Sequence, residues 1–176
     1  MKALLLLASL VTVIPAASLK GKVVGVKGGN AIEILSEGKV IGVKIYGIDC
    51  PSKTYAAGKT ARHFVADQAF MNDVSLEIIG AETDGTLIGK VILADGKNLG
   101  IELLKSGMAW WDKPSSPDEA DLAKVEKQAR DAYLGIWAGT ADDDDGDDWG
   151  KEVLAKREQA APADKGNATL LTALDR

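Results

Sequence analysis

From Ala31 to Leu35, and again from Gly42 to Tyr46, apolar and polar positions alternate with a period of two. That period turns one face of a strand into a core and the other toward solvent. Lys22 to Val26, Ala31 to Leu35 and Val40 to Tyr46 read as strands, the last two joined through Ser36-Glu37-Gly38-Lys39 into a hairpin. The spacing then changes. From Thr54 to Met71, residues Ala57, Ala61, Phe64, Val65 and Ala69 fall near one face of a predicted helix. Val74 to Ile79 and Thr86 to Leu93 predict two further strands, the second ending in the turn Ala94-Asp95-Gly96-Lys97. A short helix from Leu99 to Ser106 turns Leu99, Leu103 and Leu104 inward and stops at Gly107, a natural C-cap residue. Ser116-Pro117-Asp118-Glu119 opens a third predicted helix, with Ser116 as N-cap, proline at the first helical position and Glu119 completing a capping box. It runs to about Ala132. Five strands interrupted by a helix after the third, with helices following the fifth, predict an α+β domain rich in β-structure, a small barrel with helices packed on it.

The two ends of the chain read differently. Met1 to Ser18 has a basic start, a dense apolar run and small residues at Ala16-Ala17-Ser18, the marks of a secretory signal peptide. The run is short for a bilayer span, so export of a mature chain starting near Leu19, without a transmembrane segment, is the expectation. Cleavage after Ala17 is the alternative. From Leu19 to Ala138 there are fifteen Lys+Arg against sixteen Asp+Glu, whereas residues 139–176 carry five against ten. Six of those acids crowd into Asp142–Asp148, so composition divides the chain into a signal peptide at 1–18, a domain at 19–138 and an acidic tail at 139–176, expected to be disordered. A near-neutral domain on an acidic chain is a poor electrostatic match for polyanions, whose binding rests on Lys and Arg. Cys50 is the only cysteine, so no internal disulfide forms, and stability must come from the core.

The most specific local statement is Gly42-Val43-Lys44-Ile45-Tyr46-Gly47-Ile48-Asp49-Cys50-Pro51. Lys44 lies along one side of a strand, and Asp49 falls at a strand end just before a proline that cannot extend the ladder. A strand end aims a carboxylate at a ligand or metal; equally, Asp49 can make a turn by bonding nearby backbone.

The order of these residues resembles the staphylococcal nuclease-like (thermonuclease) family. The resemblance runs from about Lys22 to Ala138. It rests on Val23-Val24-Gly25-Val26 leading to Gly29 and Ile32-Glu33-Ile34, on Ile45 to Pro51, and on Gly58-Lys59-Thr60-Ala61. Leu99 to Gly107 with Ala109, and Glu126-Lys127-Gln128-Ala129-Arg130 with Gly135-Ile136-Trp137, complete it. The resemblance implies an OB-fold, a five-stranded barrel with three helices, and a calcium-dependent phosphodiesterase acting on DNA or RNA. Such chemistry asks for carboxylates to hold a hard cation, a carboxylate to activate water and arginine forks to grip phosphate.

Several of those parts are altered. Where the family has Asp-Gly-Asp-Thr, this chain has Gly28-Gly29-Asn30-Ala31, so the resemblance makes Asn30 and Asp49 a weakened calcium pair. The first catalytic arginine matches Lys44, the water-activating glutamate matches Ser52, and the second arginine matches Ile88, with Lys90 two residues further on. Losing a positioned phosphate donor costs about a hundred- to a thousandfold in rate, and losing a general base about a hundred- to ten-thousandfold. Such losses do not add, because the residues act as a unit. The expectation is an intact barrel with dismantled chemistry.

Other candidates carry weaker signals. His63, the only histidine, has no identified carboxylate partner and reads as a packed or solvent-facing side chain. Cys50 has no adjacent base to activate it. Asp143, Asp145, Gly146 and Glu152 match four positions of an EF-hand loop, but Ala141 stands at its first position, and a solvated acidic linker is the simpler reading. Asn167-Ala168-Thr169 fits a glycosylation sequon. Trp110-Trp111 is either a stacking platform for bases or a core closure with its cover.

Two functions follow. One is an exported, catalytically impaired pseudo-nuclease that serves as a binding module for a protein or oligonucleotide, needs no cofactor and binds nucleic acid weakly. The other is a divergent calcium-dependent phosphodiesterase in which Asp49, Asn30 and carboxylates such as Glu33 rebuild a metal site.

Overall fold

The computed structural model describes residues 18–138. The expected signal peptide apart from Ser18, the expected acidic tail with its EF-hand-like positions, and Asn167 lie outside the described residues. Seven strands and three helices follow in the order β1 (Ser18–Val26), β2 (Ala31–Ser36), β3 (Lys39–Ile45), β4 (Ile48–Asp49), α1 (Ala56–Ala69), β5 (Asp73–Ala81), β6 (Leu87–Ile92), α2 (Leu99–Lys105), β7 (Trp110–Trp111) and α3 (Ala120–Asp131). A 3₁₀ turn, Gly135–Trp137, completes the described chain.

Five strands close a barrel in the order β1-β2-β3-β6-β5, which is the expected OB-fold arrangement with three packed helices. All neighbours are antiparallel except β3 and β6, whose parallel pairing closes the barrel. The first strand is longer than the alternation predicts because it serves two partners. Ser18–Lys22 pairs with β5, and Lys22–Val26 pairs with β2 across an irregularity between Val23 and Gly25. The hairpin turn falls where expected, with Ser36 opposite Lys39 and positive φ at Glu37 (49°) and Gly38 (77°). Positive φ at both central residues is the turn whose twist matches that of paired strands.

Inward positions of the barrel are Val23, Ile32, Ile34, Val43, Ile45, Leu76 and Val91, all buried. Helix α1 closes on them with Ala61, Val65 and Ala69, while Gly58 lies against the Pro51 and Ser52 carbonyls. Its expected ends, Thr54 and Met71, contract to Ala56 and Ala69 because Tyr55 and Phe70 are extended. Helix α2 contributes Leu99, Leu103 and Leu104, as the sequence predicts, and Asn98 caps it by accepting from the Gly100 and Ile101 amides.

The third helix departs from expectation. It starts at Ala120 with Glu119 as N-cap, and no side chain bonds that end. Ser116 is buried instead. Its hydroxyl donates to Asp112 O at 2.9 Å and accepts from Trp111 Nε1 at 3.0 Å. Glu119 reaches across to Lys90 at 2.8 Å. The half-buried Trp111 indole N–H and the Lys90 ammonium take these two side chains as partners, in place of the reciprocal capping bonds. Among the described residues, no helix is long and apolar enough to cross a membrane.

Candidate functional site

Two neighbouring parts of the barrel surface gather the residues singled out in the sequence. The first is the loop between β1 and β2. Gly29 is buried in it, and a Cβ there would come within 2.7 Å of Cys50 Sγ and 2.9 Å of Ala61 Cβ. That close seat fixes the next residue. The Asn30 carbonyl accepts from Ile45 N at 2.8 Å, and the Asn30 side-chain amide donates to Asp49 Oδ1 at 2.9 Å.

Asp49 is presented by the two-stranded sheet of β4 and β7, where it pairs with Trp110 while Ile48 pairs with Trp111. The same Oδ1 accepts from Cys50 N at 2.9 Å. Asp49 thus makes its local turn and faces the Asn30 loop together, so the two readings of this residue describe one arrangement.

The second part is the outer face of the β3–β6 seam. Val43 and Ile45 point into the barrel, which turns Lys44 outward. Its partner across the seam is Ile88, half-buried on the same outer face. Lys44 Nζ lies 3.7 Å from Glu82 Oε1. Two residues along each strand direction lie Tyr46 and Lys90. Lys90 Nζ stands 5.7 Å from the centre of the Tyr46 ring and donates to Glu119 Oε1 at 2.8 Å. The Glu119 bond, and more weakly the nearby negative charge, raises the Lys90 ammonium above its usual value. Both ion pairs are about one-third exposed or more, and pairs of that kind contribute about 0.2–1 kcal/mol.

Asn30 and Asp49 are therefore in contact, and Lys44 and Ile88 are side by side. Ser52 is turned to its own loop: its hydroxyl lies 3.0 Å from Thr54 Oγ1, and its carbonyl accepts from Tyr55 N. Glu33 pairs with Lys27 at 3.0 Å. His63 is exposed on α1. Burial pushes the Cys50 thiol far above the ordinary thiol range, and the adjacent Asp49 charge adds to it, so this group is no nucleophile. Trp110 is buried against Ile136, and Trp111 is half-buried with its indole N–H on Ser116. Trp111 thus covers the main core as one reading has it, whereas Trp110 belongs to a small separate cluster with Ile136 and does not close the barrel's core.

Glu82, Glu119 and Tyr46 were not singled out by sequence. Nothing near Glu82 in the chain points to Lys44, because the parallel β3–β6 closure alone brings them together. Glu119 carried a signal, but a different one, as a capping residue.

Comparison with known proteins agrees with the fold. The family model described as staphylococcal nuclease homologue matches residues 42–139. The chain belongs to the staphylococcal nuclease-like family. A micrococcal nuclease from Shigella flexneri is 29% identical over 139 residues, covering 73% of this chain and 80% of the relative. Protein ParB from Escherichia coli is 28% identical over 142 residues, covering 75% and 80%. An uncharacterized endonuclease from Haemophilus influenzae is 29% identical over 118 residues, covering 66% and 65%. The domain is thus nuclease-like in family and in fold.

The resemblance implies calcium, and the donor set at the Asn30–Asp49 loop can be tested against it. Calcium takes six to eight oxygens, and carboxylates give the tighter sites. Here one carboxylate faces a neutral amide whose N–H₂ group, not its oxygen, is turned to Asp49. Among the described residues, no three His, Cys, Asp or Glu side chains gather where they could hold a metal ion. These residues do not fit a calcium site. At the two positions where the resemblance implies arginine forks, Lys44 supplies a point charge and Ile88 an apolar surface.

Proposed function

We propose that this nuclease-like domain is an exported, catalytically impaired binding module. The observation that carries the reading is the 2.9 Å bond from the Asn30 amide to Asp49 Oδ1. That bond pairs the Asp49 carboxylate with a neutral amide of this chain, where the resemblance implies a second carboxylate. The other altered positions support the same reading. Ser52 lacks a carboxylate to activate water, and Ile88 lacks any charge. The ligand on this reading is a protein or an oligonucleotide, the latter held weakly.

The second reading, a divergent calcium-dependent phosphodiesterase, draws support from the relatives named as nucleases and endonucleases. It would need unaligned carboxylates, such as Glu33, to join Asp49 and Asn30, and Glu33 is paired with Lys27 at 3.0 Å.

Calcium titration of the mature wild-type domain, followed by thermal unfolding, tests the central point. The binding-module reading expects a midpoint unchanged to within about a degree, since a ligand that does not bind cannot stabilise. A calcium-dependent rise of several degrees, lost in Asp49→Ala, would instead favour the phosphodiesterase.

Export rests on the residues of the leader, Met1 to Ser18. Cleavage after Ser18 would leave Leu19 in place opposite Leu76 in the β1–β5 ladder. Intact mass of the exported protein is expected to start near Leu19. A mature chain beginning at Met1 would contradict export by this route.

A further inference from the structure

We infer that Glu82 and Glu119 are specificity residues that withhold the β3–β6 face from polyanions. This deepens the binding-module reading and rests on it. The seam presents two outward cations, Lys44 and Lys90. Each carries a carboxylate delivered from another element. Glu82 comes from the hairpin between β5 and β6 and lies 3.7 Å from Lys44 Nζ. Glu119 comes from the entry of α3 and accepts from Lys90 Nζ at 2.8 Å. Glu77, the cross-strand partner of Lys90, adds a third acid to the same face. Two cations against three anions leave this patch net negative, whatever the charge of the rest of the domain.

The consequence is electrostatic. A phosphate approaching Lys44 or Lys90 meets a carboxylate already within ion-pair distance of the ammonium, so the attraction is largely cancelled at close range. Neither pair is needed to hold the fold, because all four groups are partly exposed and joined side chain to side chain. The carboxylates therefore set what the face accepts. They turn a face that offers two ammonium groups into one that holds nucleic acid only weakly.

The test measures fluorescence anisotropy of a fluorescein-labelled oligothymidylate at low salt, with EDTA present so that the probe stays intact. The protein is the mature chain as wild type, Glu82→Gln, Glu119→Gln and the double variant. Each substitution is expected to tighten binding about fivefold, and the pair more than tenfold, from the removal of one unit charge about 4 Å from each contact. The log–log salt dependence of the double variant should steepen by about 1.4, as two further phosphates are neutralised on a single strand. Adding Lys44→Gln to Glu82→Gln should reverse that single gain. Asp131→Asn removes the same charge at the far end of α3, where Asp131 pairs with Lys127, and should leave affinity unchanged.

A double variant with native circular dichroism that binds no tighter than wild type would overturn the inference. So would an equal gain from Asp131→Asn, which would reduce the effect to net charge. If the double variant unfolds, the exposed single variant Glu82→Gln decides alone. Cleavage of the probe by wild type once calcium is added counts against the binding-module reading, and leaves the affinity comparison made in EDTA intact.

Discussion

Lys44 and Ile88 are partners across the parallel seam that closes the barrel, side by side on its outer face. The two positions where the resemblance implies phosphate-gripping arginines are thus neighbours in space, though far apart in the chain. One keeps its charge without the fork; the other has lost both.

Because Ile88 points outward and is half-buried, Ile88→Arg should fold, at a cost of about 1 kcal/mol or less. The fourfold variant Asn30→Asp, Lys44→Arg, Ser52→Glu, Ile88→Arg should then gain a calcium response that no single change produces. With calcium at ten times its dissociation constant, the gain is about 1.4 kcal/mol, a rise of several degrees in the unfolding midpoint. A folded fourfold variant blind to calcium would show that the missing parts lie elsewhere.

The entry to α3 supplies a second expectation, one that separates the structure from the sequence pattern. Ser116→Ala should cost about 1–2 kcal/mol, since it removes a buried hydroxyl that bonds both Asp112 O and Trp111 Nε1. Glu119→Ala should cost less than about 1 kcal/mol, because its carboxylate makes a partly exposed pair with Lys90 and caps nothing. Chemical denaturation of both variants measures the difference. Equal losses would restore the capping box.

Gly29 is held by packing. A methyl group there would stand 2.7 Å from Cys50 Sγ and 2.9 Å from Ala61 Cβ, so Gly29→Ala should destabilise by about 1–3 kcal/mol. It should also displace Asn30 from Asp49. Unchanged stability would mean that α1 gives way more easily than its tight seat implies.

Cys50 predicts a pH dependence. Burial raises its thiol in the folded chain above the ordinary value of about 8.5. Above that value the unfolded chain loses the proton while the folded chain keeps it, so unfolding becomes easier as pH rises. The stabilisation is complete below the ordinary thiol value and falls by about 1.4 kcal/mol per pH unit above it. Comparing the stability of wild type and Cys50→Ala across pH 8 to 10, about the window around that value, should show this slope only in wild type. Parallel curves would place the thiol in water.

The strands, their turns and the inward residues of α2 were legible because period and turn chemistry are local. Leu99, Leu103 and Leu104 declare themselves by spacing and are buried as expected. What stayed hidden was whatever depends on closure. The Lys44–Glu82 pair exists because β3 meets β6 in parallel, and no short-range pattern encodes that. The β4–β7 sheet that holds Asp49 opposite Trp110 is two residues long on each side, too short for a periodic signal. Ser116 and Glu119 show the reverse case. Their spacing was a valid local signal, overruled by Trp111 and Lys90.

At the site, identity was legible and direction was not. The sequence places Asn30 where the resemblance implies a second aspartate. Only the fold shows that its amide turns a donor to Asp49.

Cleavage of DNA and RNA by the purified mature domain, with calcium and with EDTA, tests the central claim most directly. Asp49→Ala serves as the matched control. Wild type is expected to show no calcium-stimulated cleavage above that control. Robust calcium-dependent turnover by wild type, abolished in Asp49→Ala, would contradict it.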